Sequence, residues 1–249
     1  MPVKFLRALA GSERTRENNR RLGCSLAFVA GAINAGGFLA VGQYTSHMSG
    51  ILSALAGDAV LGKTALVMAG LSSLLSFAIG AAMSAVLINW GRRRHHTSLF
   101  AAPLMFEAIL LLCFGVTGSS LGEHRWLTTP MTVILLCFVM GLQNAIITKI
   151  SHAEIRTTHV TGLVTDIGIE LGKLLYWNRV KDDLERELII ADRAKLKLLT
   201  SLLAMFFLGA LSGVLGFSRL GFIMTLPLAG LLMTLACIPI MDDFNRRRF

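Results

Sequence analysis

Six stretches of the chain contain no Lys or Arg and approach the roughly 20 residues that a helix needs to cross a bilayer. They run from Leu22 to Gly42, Thr64 to Trp90, Leu99 to Gly118, Pro130 to Thr148, Leu198 to Phe217, and Leu220 to Met241. They belong to a chain of 249 residues, 54% hydrophobic and 16% charged, with a mean hydropathy of +0.64. That is too apolar for a water-soluble domain of this length. The fold class expected is an all-α integral membrane protein in contact with the lipid bilayer.

The net charge of +9 does not point to nucleic acid, because the basic residues stand beside apolar segments and read as topology signals. Cys24, Cys113, Cys137 and Cys237 lie inside apolar runs without CxxC or zinc-like spacing, and are expected to be small core hydrophobes. The opening residues 1–21 have too short an apolar core for a secretory signal and are expected to form a cytoplasmic tail.

The chain carries the same hexapeptide twice. "TSHMSG" (45–50) and "TTHVTG" (157–162) share a histidine between small hydroxyl residues and a final glycine. Upstream, "FVAGAINA" (28–35) faces "FVMGLQNA" (138–145); downstream, "GILSALAGDAVLGK" (50–63) faces "GLVTDIGIELGK" (162–173). "LSSLL" (71–75) then faces "LTSLL" (199–203), "SAVL" (84–87) faces "SGVL" (212–215), and Pro103, Leu104 and Cys113 face Pro227, Leu228 and Cys237. Each match is weak alone, but they fall in one order along the chain. This predicts two repeats, 22–118 and 130–241, with a cytoplasmic loop at 174–197 inside the second and a cytoplasmic C-terminal tail at 242–249.

Within each repeat the segment after the hexapeptide, Gly50 to Leu61 or Gly162 to Leu171, is too short to span ~30 Å at 1.5 Å per residue. These two segments are expected to be half-helices or re-entrant helices. Six spans with the N-terminus inside put 21 Lys and Arg on the cytoplasmic side and three, Lys63, Arg125 and Arg219, outside. If both short helices crossed, the split would fall to 18 to 6, so the positive-inside rule favours six. Three spans per repeat is odd, which makes the repeats inverted about an axis in the membrane plane. The expected setting is the bacterial inner membrane, multi-pass, with both termini cytoplasmic.

Ser49 and Thr161 precede Gly50 and Gly162, where the N-cap of each short helix belongs. Re-entrant short helices would aim two N-termini, with free amides and positive partial charge, at one central spot from opposite faces, which suits a small polar or anionic solute. The same small residues also serve close helix packing. His47 and His159 can donate to an anion, relay protons or bind metal, or each can be a neutral histidine bonded to a nearby carbonyl. No HExxH or comparable ligand set accompanies them, so no metal and no cofactor are expected. Asn34, Gln143 and Asn144 lie inside the first long helix of each repeat, where their amides need partners: the opened hexapeptides or a bound solute.

Glu107 lies deep in "PLMFEAILLLC", where an ionised carboxylate costs at least ~2.5 kcal/mol and marks function by default. Its counterpart in the other repeat is Leu231. Asp166 and Glu170 share a face of the second short helix, and Asp58 lies near the end of the first. Glu107 or Asp166 is a candidate for proton coupling, or a hydrogen-bonded acid that only fixes packing.

The segments "GAINAGGFLAVGQYTSHMSG" and "GLQNAIITKISHAEIRTTHVTG" resemble the YoaK family of bacterial inner-membrane proteins, over nearly the whole chain from about Arg21 to Met241. The resemblance implies a membrane location and about six spans; it brings no substrate and no catalytic residues. From the residues themselves, the leading expectation is a transporter or channel-like permease for a small polar or anionic solute, with proton coupling. The alternative is a non-transporting membrane scaffold or regulatory protein. Intramembrane enzyme signatures such as GxGD and HExxH are missing from the sequence, so no enzymatic activity is expected. A homo-oligomer is compatible with the sequence.

Overall fold

The computed structural model describes residues 15–94, 99–119, 125–150, 158–176 and 190–246. The expected tail segments 1–14 and 247–249, much of the expected loop at 174–197, and Arg156 and Thr157 lie outside the described residues.

Among the described residues all regular structure is helical. Helix α1, Arg16–Val41, begins at Thr15, whose side chain accepts from the Asn18 amide at 3.2 Å. It ends at Gly42 in the left-handed region, φ +70°, which glycine enters without a Cβ penalty. Then come α2 (Met48–Val60), α3 (Thr64–Arg93), α4 (Ala101–Ser119), α5 (Arg125–Ile150), α6 (Val160–Leu175) and α7 (Arg193–Leu220). A 3-10 turn at Gly221–Met224 leads into α8, Thr225–Arg246. The two short helices are longer than expected, 13 and 16 residues, and start at Met48 and Val160.

By continuous length and apolarity there are, among the described residues, five candidate spans rather than six: Glu17–Val41, Thr64–Arg93, Ala101–Ser119, Thr128–Ile150 and Arg193–Cys237. The last absorbs two of the expected stretches. It runs for 45 residues, on the order of 68 Å if straight, more than twice a hydrocarbon core. It is interrupted at Gly221, φ +59°, and its two parts pack on different partners, α7 along α1 and α8 along α4.

The outward face of α3 carries Leu66, Met68, Leu71, Leu75, Ile79, Met83, Val86 and Trp90, all exposed. An apolar stripe of that length is incompatible with water and is what a lipid-facing helix presents. The inside is closed by Leu26, Ile33, Leu104, Leu111, Phe114, Met140, Leu142 and Ile147, each fully buried.

Packing between the halves is reciprocal. α1 lies along α7, and α5 lies along α3. Glycines set both crossings: a Cβ on Gly31 would strike the Phe206 carbonyl, and one on Gly209 the Phe28 carbonyl. In the other crossing a Cβ on Gly141 would strike Phe77 backbone, and one on Gly80 the Phe138 carbonyl. In lipid, such close backbone approach and its dispersion contacts stand in for the missing hydrophobic drive between helices.

This packing corrects the register of the third helix in each half by one residue. Phe77 and Gly80 correspond to Phe206 and Gly209, and buried Ser73, Gly80, Ser84 and Ile88 correspond to buried Leu202, Gly209, Gly213 and Phe217. The matches "LSSLL" to "LTSLL" and "SAVL" to "SGVL" put Ser84 opposite Ser212, which is off the buried face. Letter identity at small residues misled the alignment, since the buried face decides which positions are equivalent. For α4 and α8 the expected register pairs buried Ala101, Leu104, Ala108 and Leu111 with buried Thr225, Leu228, Leu232 and Leu235, but it also puts buried Pro103 opposite exposed Pro227.

Candidate functional site

Each long helix that precedes a hexapeptide holds it by an asparagine. In the first half Asn34 Oδ1 accepts from the Ser46 hydroxyl at 2.9 Å and the Ser46 amide at 3.4 Å. In the second, Asn144 Nδ2 donates to Thr158 Oγ1. An amide and a hydroxyl can each donate or accept, so one tie is made with both polarities. Ser46 and Thr158 are the partners that sequence reasoning missed; the signal was a hydroxyl residue immediately before the histidine of each hexapeptide.

The ties fix where the short helices begin. Asn34 stands seven residues before Val41 and Asn144 six before Ile150, so each hexapeptide folds back about 10 Å inside the end of its long helix at 1.5 Å per residue. From there α2 runs back along the start of α3, with Leu55 against Gly70, and turns at Leu61–Lys63 through Gly62, φ +68°. α6 likewise packs on α7.

The caps differ from expectation. Helices α2 and α6 start two residues earlier, so His47 and His159 occupy the N-cap positions and Ser49 and Thr161 lie inside the first turn. The Ser49 and Thr161 carbonyls accept from the Ser53 and Thr165 hydroxyls, both at 2.9 Å. Neither histidine side chain bonds the helix start. Each ring instead lies over the glycine three residues on: a Cβ on Gly50 would collide with the His47 ring, and one on Gly162 with the His159 ring. The physical reason is steric, since only glycine at that place leaves room for an imidazole folded onto the first turn. The first ladder bonds are Ile51 N to His47 O (3.1 Å) and Leu163 N to His159 O (3.0 Å). The amides of Met48, Ser49 and Gly50, and of Val160, Thr161 and Gly162, are therefore the unladdered donors of each helix start. Both histidines are exposed.

The two starts do not share one spot. Asn19 of α1 donates to the Ile150 carbonyl of α5 at 3.4 Å, and Gly37 of α1 lies against Leu136 of α5. These helices therefore run antiparallel, and interpolation places Asn34 and Asn144 roughly 10 Å apart along the bundle axis. The hexapeptides enter from different levels because each is tied to its own long helix.

Gln143 does not face a hexapeptide. Its Nε2 donates to Glu107 Oε1 at 2.7 Å, with both residues fully buried. Glu107 Oε2 and Gln143 Oε1 have no hydrogen-bond partner. Asp166 is elsewhere: its side chain is 45% exposed, with Oδ2 4.0 Å from Lys195 Nζ. Glu170, on the same face, is the buried member of that cluster. It accepts from Lys173 Nζ and from the Asp192 amide, both at 2.9 Å, with Lys195 Nζ at 3.9 Å. The Lys173 ammonium, and after it the Asp192 amide, hold its carboxyl below the usual carboxylate range. This cluster fastens the start of α7 to the end of α6. Among the described residues no group of three or more His, Cys, Asp and Glu could hold a metal ion.

Comparison with known proteins adds a family and a relative. Residues 22–238 match the family described as "Protein of unknown function (DUF1275)". The chain is similar to the UPF0700 transmembrane protein YoaK of Bacillus subtilis (strain 168), with 23% identity over 169 residues, 66% of this chain and 72% of that protein. No solved structure matches the chain.

Proposed function

The chain belongs to the DUF1275 family, and from that premise we propose that it is a multi-pass permease for a small polar or anionic solute, built as two inverted three-span repeats. In this reading α7 and α8 cross separately, which makes six spans, and α2 and α6 are re-entrant. The membrane is the bacterial inner membrane, with both termini cytoplasmic.

The observation that carries the reading is the pair of asparagine ties, Asn34 to Ser46 and Asn144 to Thr158. They hold two helix starts with unladdered amides inside the bundle's length, one from each half. Such starts attract anions through oriented N–H groups and the helix dipole, and broken helices at mid-depth are where transporters hold solutes. His47 and His159 stand at those starts as further donors, beside Ser49, Gly50, Thr161 and Gly162. Two levels roughly 10 Å apart fit two stations along one path better than a single site. Glu107 is the proton carrier of this reading, since Asp166 already faces Lys195. No enzymatic step is part of it.

The test is solute flux into proteoliposomes across a panel of small inorganic anions, carboxylates and neutral polar solutes. Flux of at least one solute that falls on Asn34→Ala, Asn144→Ala or His47→Ala, and survives Ser53→Ala, is the expected result. Absence of flux for every solute, with folded protein, would sink the reading.

One observation favours a second reading, a non-transporting scaffold. The amides of Asn34 and Asn144 are bonded inside the protein and the imidazoles lie on their own glycines, so the motifs can be complete without a solute. That reading expects capture of a stable partner and no flux.

A further inference from the structure

Glu107 on α4 and Gln143 on α5 make the only buried side-chain pair in which an acid meets an amide among the described residues, and each leaves one oxygen without a partner. Orphaned buried acceptors are costly, and two in one contact call for an occupant that satisfies both. A single hydrogen does so. Placed on Glu107 Oε2 and turned to Gln143 Oε1, it adds a second hydrogen bond to the one already made from Gln143 Nε2 to Glu107 Oε1, closing an acid–amide ring.

Other occupants fit less well. Calcium and magnesium take about six or more oxygens, and among the described side chains at this contact only these two are without a partner. Among the described residues no fixed counter-charge stands beside Glu107 either. Of the elements packed on α4, α3 brings Arg92 and Arg93, both exposed. α5 brings Cys137, and Lys149, whose Nζ reaches Asn89 Oδ1 at 3.5 Å. α8 brings Cys237, exposed, and α4 itself brings Cys113, also exposed. The side chains of Arg125, Asp242, Asp243 and Arg246 lie outside the described residues. No described cation forms an ion pair with Glu107.

By sequence the repeat-related positions of Glu107 and Gln143 are Leu231 and Ile33, so the repeat pattern itself does not call for a polar group at either place. A buried acid and amide held there against their desolvation cost are a departure from the repeat that burial alone does not explain.

We propose that Glu107 and Gln143 form a proton-binding site in the bundle core, in which the Glu107 carboxyl carries an exchangeable proton and the Gln143 carboxamide receives it. Use of that proton in solute movement rests on the permease reading; the site itself does not. The pair joins the two expected repeats, since Glu107 belongs to 22–118 and Gln143 to 130–241.

Infrared difference spectroscopy of the full chain in lipid nanodiscs, recorded against pH, tests the site. The expected result at neutral pH is a carboxylic-acid C=O band that shifts in deuterium oxide, is absent from Glu107→Gln, and moves to higher frequency in Gln143→Leu as its hydrogen bond is lost. Identical wild-type and Glu107→Gln spectra in that region would overturn the site, as would a band unmoved by Gln143→Leu. If Glu107→Gln does not fold, Glu107→Asp replaces it: a displaced band supports the site and an unchanged one overturns it. A band present in a protein without flux leaves the proton site standing and removes the permease reading; flux without the band does the reverse.

Discussion

The imidazole of His47 lies where a side chain on Gly50 would stand, and His159 and Gly162 repeat the relationship in the other half. A histidine at the N-cap folded over a glycine at the third helical position explains the spacing of both motifs without any ligand.

Gly50→Ala is expected to displace the ring and destabilise the protein by about 1–2 kcal/mol, the range for a strained or overpacked site. His47→Ala should cost less, and the double variant should recover most of the loss, because the clash has gone. A double-mutant cycle from denaturation of the solubilised protein measures the coupling; additive effects would contradict the contact.

The crossings of α1 with α7 and of α5 with α3 depend on backbone approach at Gly31, Gly209, Gly141 and Gly80. Gly141→Leu should cost about 3 kcal/mol or more, since the obstruction is Phe77 backbone and cannot rotate away. Gly57→Ala is the control: nothing lies within 4 Å of an added Cβ there, and helix propensity predicts a gain of up to about 1 kcal/mol. Melting temperatures in detergent discriminate the two.

For the buried pair, Gln143→Leu alone strands the Glu107 carboxyl and is expected to cost about 1–3 kcal/mol. The double change Glu107→Leu with Gln143→Ile installs the side chains of the repeat-related positions, Leu231 and Ile33, and should be near neutral or stabilising. Equal loss in single and double variants would show that the pair holds the bundle together.

Glu170 gives a pH dependence. Its folded carboxyl lies below its ordinary value because Lys173 and the Asp192 amide bind the charged form. The sign follows: the stabilisation is present above the unfolded value of about 4.3 and is lost as pH falls through the folded value. Wild type should lose thermal stability on acidification below roughly pH 4, and Glu170→Gln should lose less over the same window. Parallel acid profiles for the two proteins would argue against the latch between α6 and α7.

Much of this protein was legible from residue order. The apolar runs named lipid as the solvent and located the long helices to within a few residues, because hydropathy and length are local properties. The repeated Asn and His motifs pointed to the hexapeptides for the same reason: a buried amide in an apolar helix announces a need for a partner. What the letters did not tell is which partner answers. Gln143 stands beside Asn144 in sequence, yet one turns to Glu107 and the other to Thr158, because neighbouring residues on a helix face different elements. Ser49 and Thr161 have cap chemistry but lie inside their helices, displaced by a ring that needed the glycine. The one-residue shift between α3 and α7 became visible only when backbone contacts showed which glycines touch which carbonyls. Sequence alone determined the solvent, the helical class and the doubling of the motif; tertiary structure decided the pairing of polar groups and the levels of the two helix starts, since those depend on which surfaces approach across the bundle.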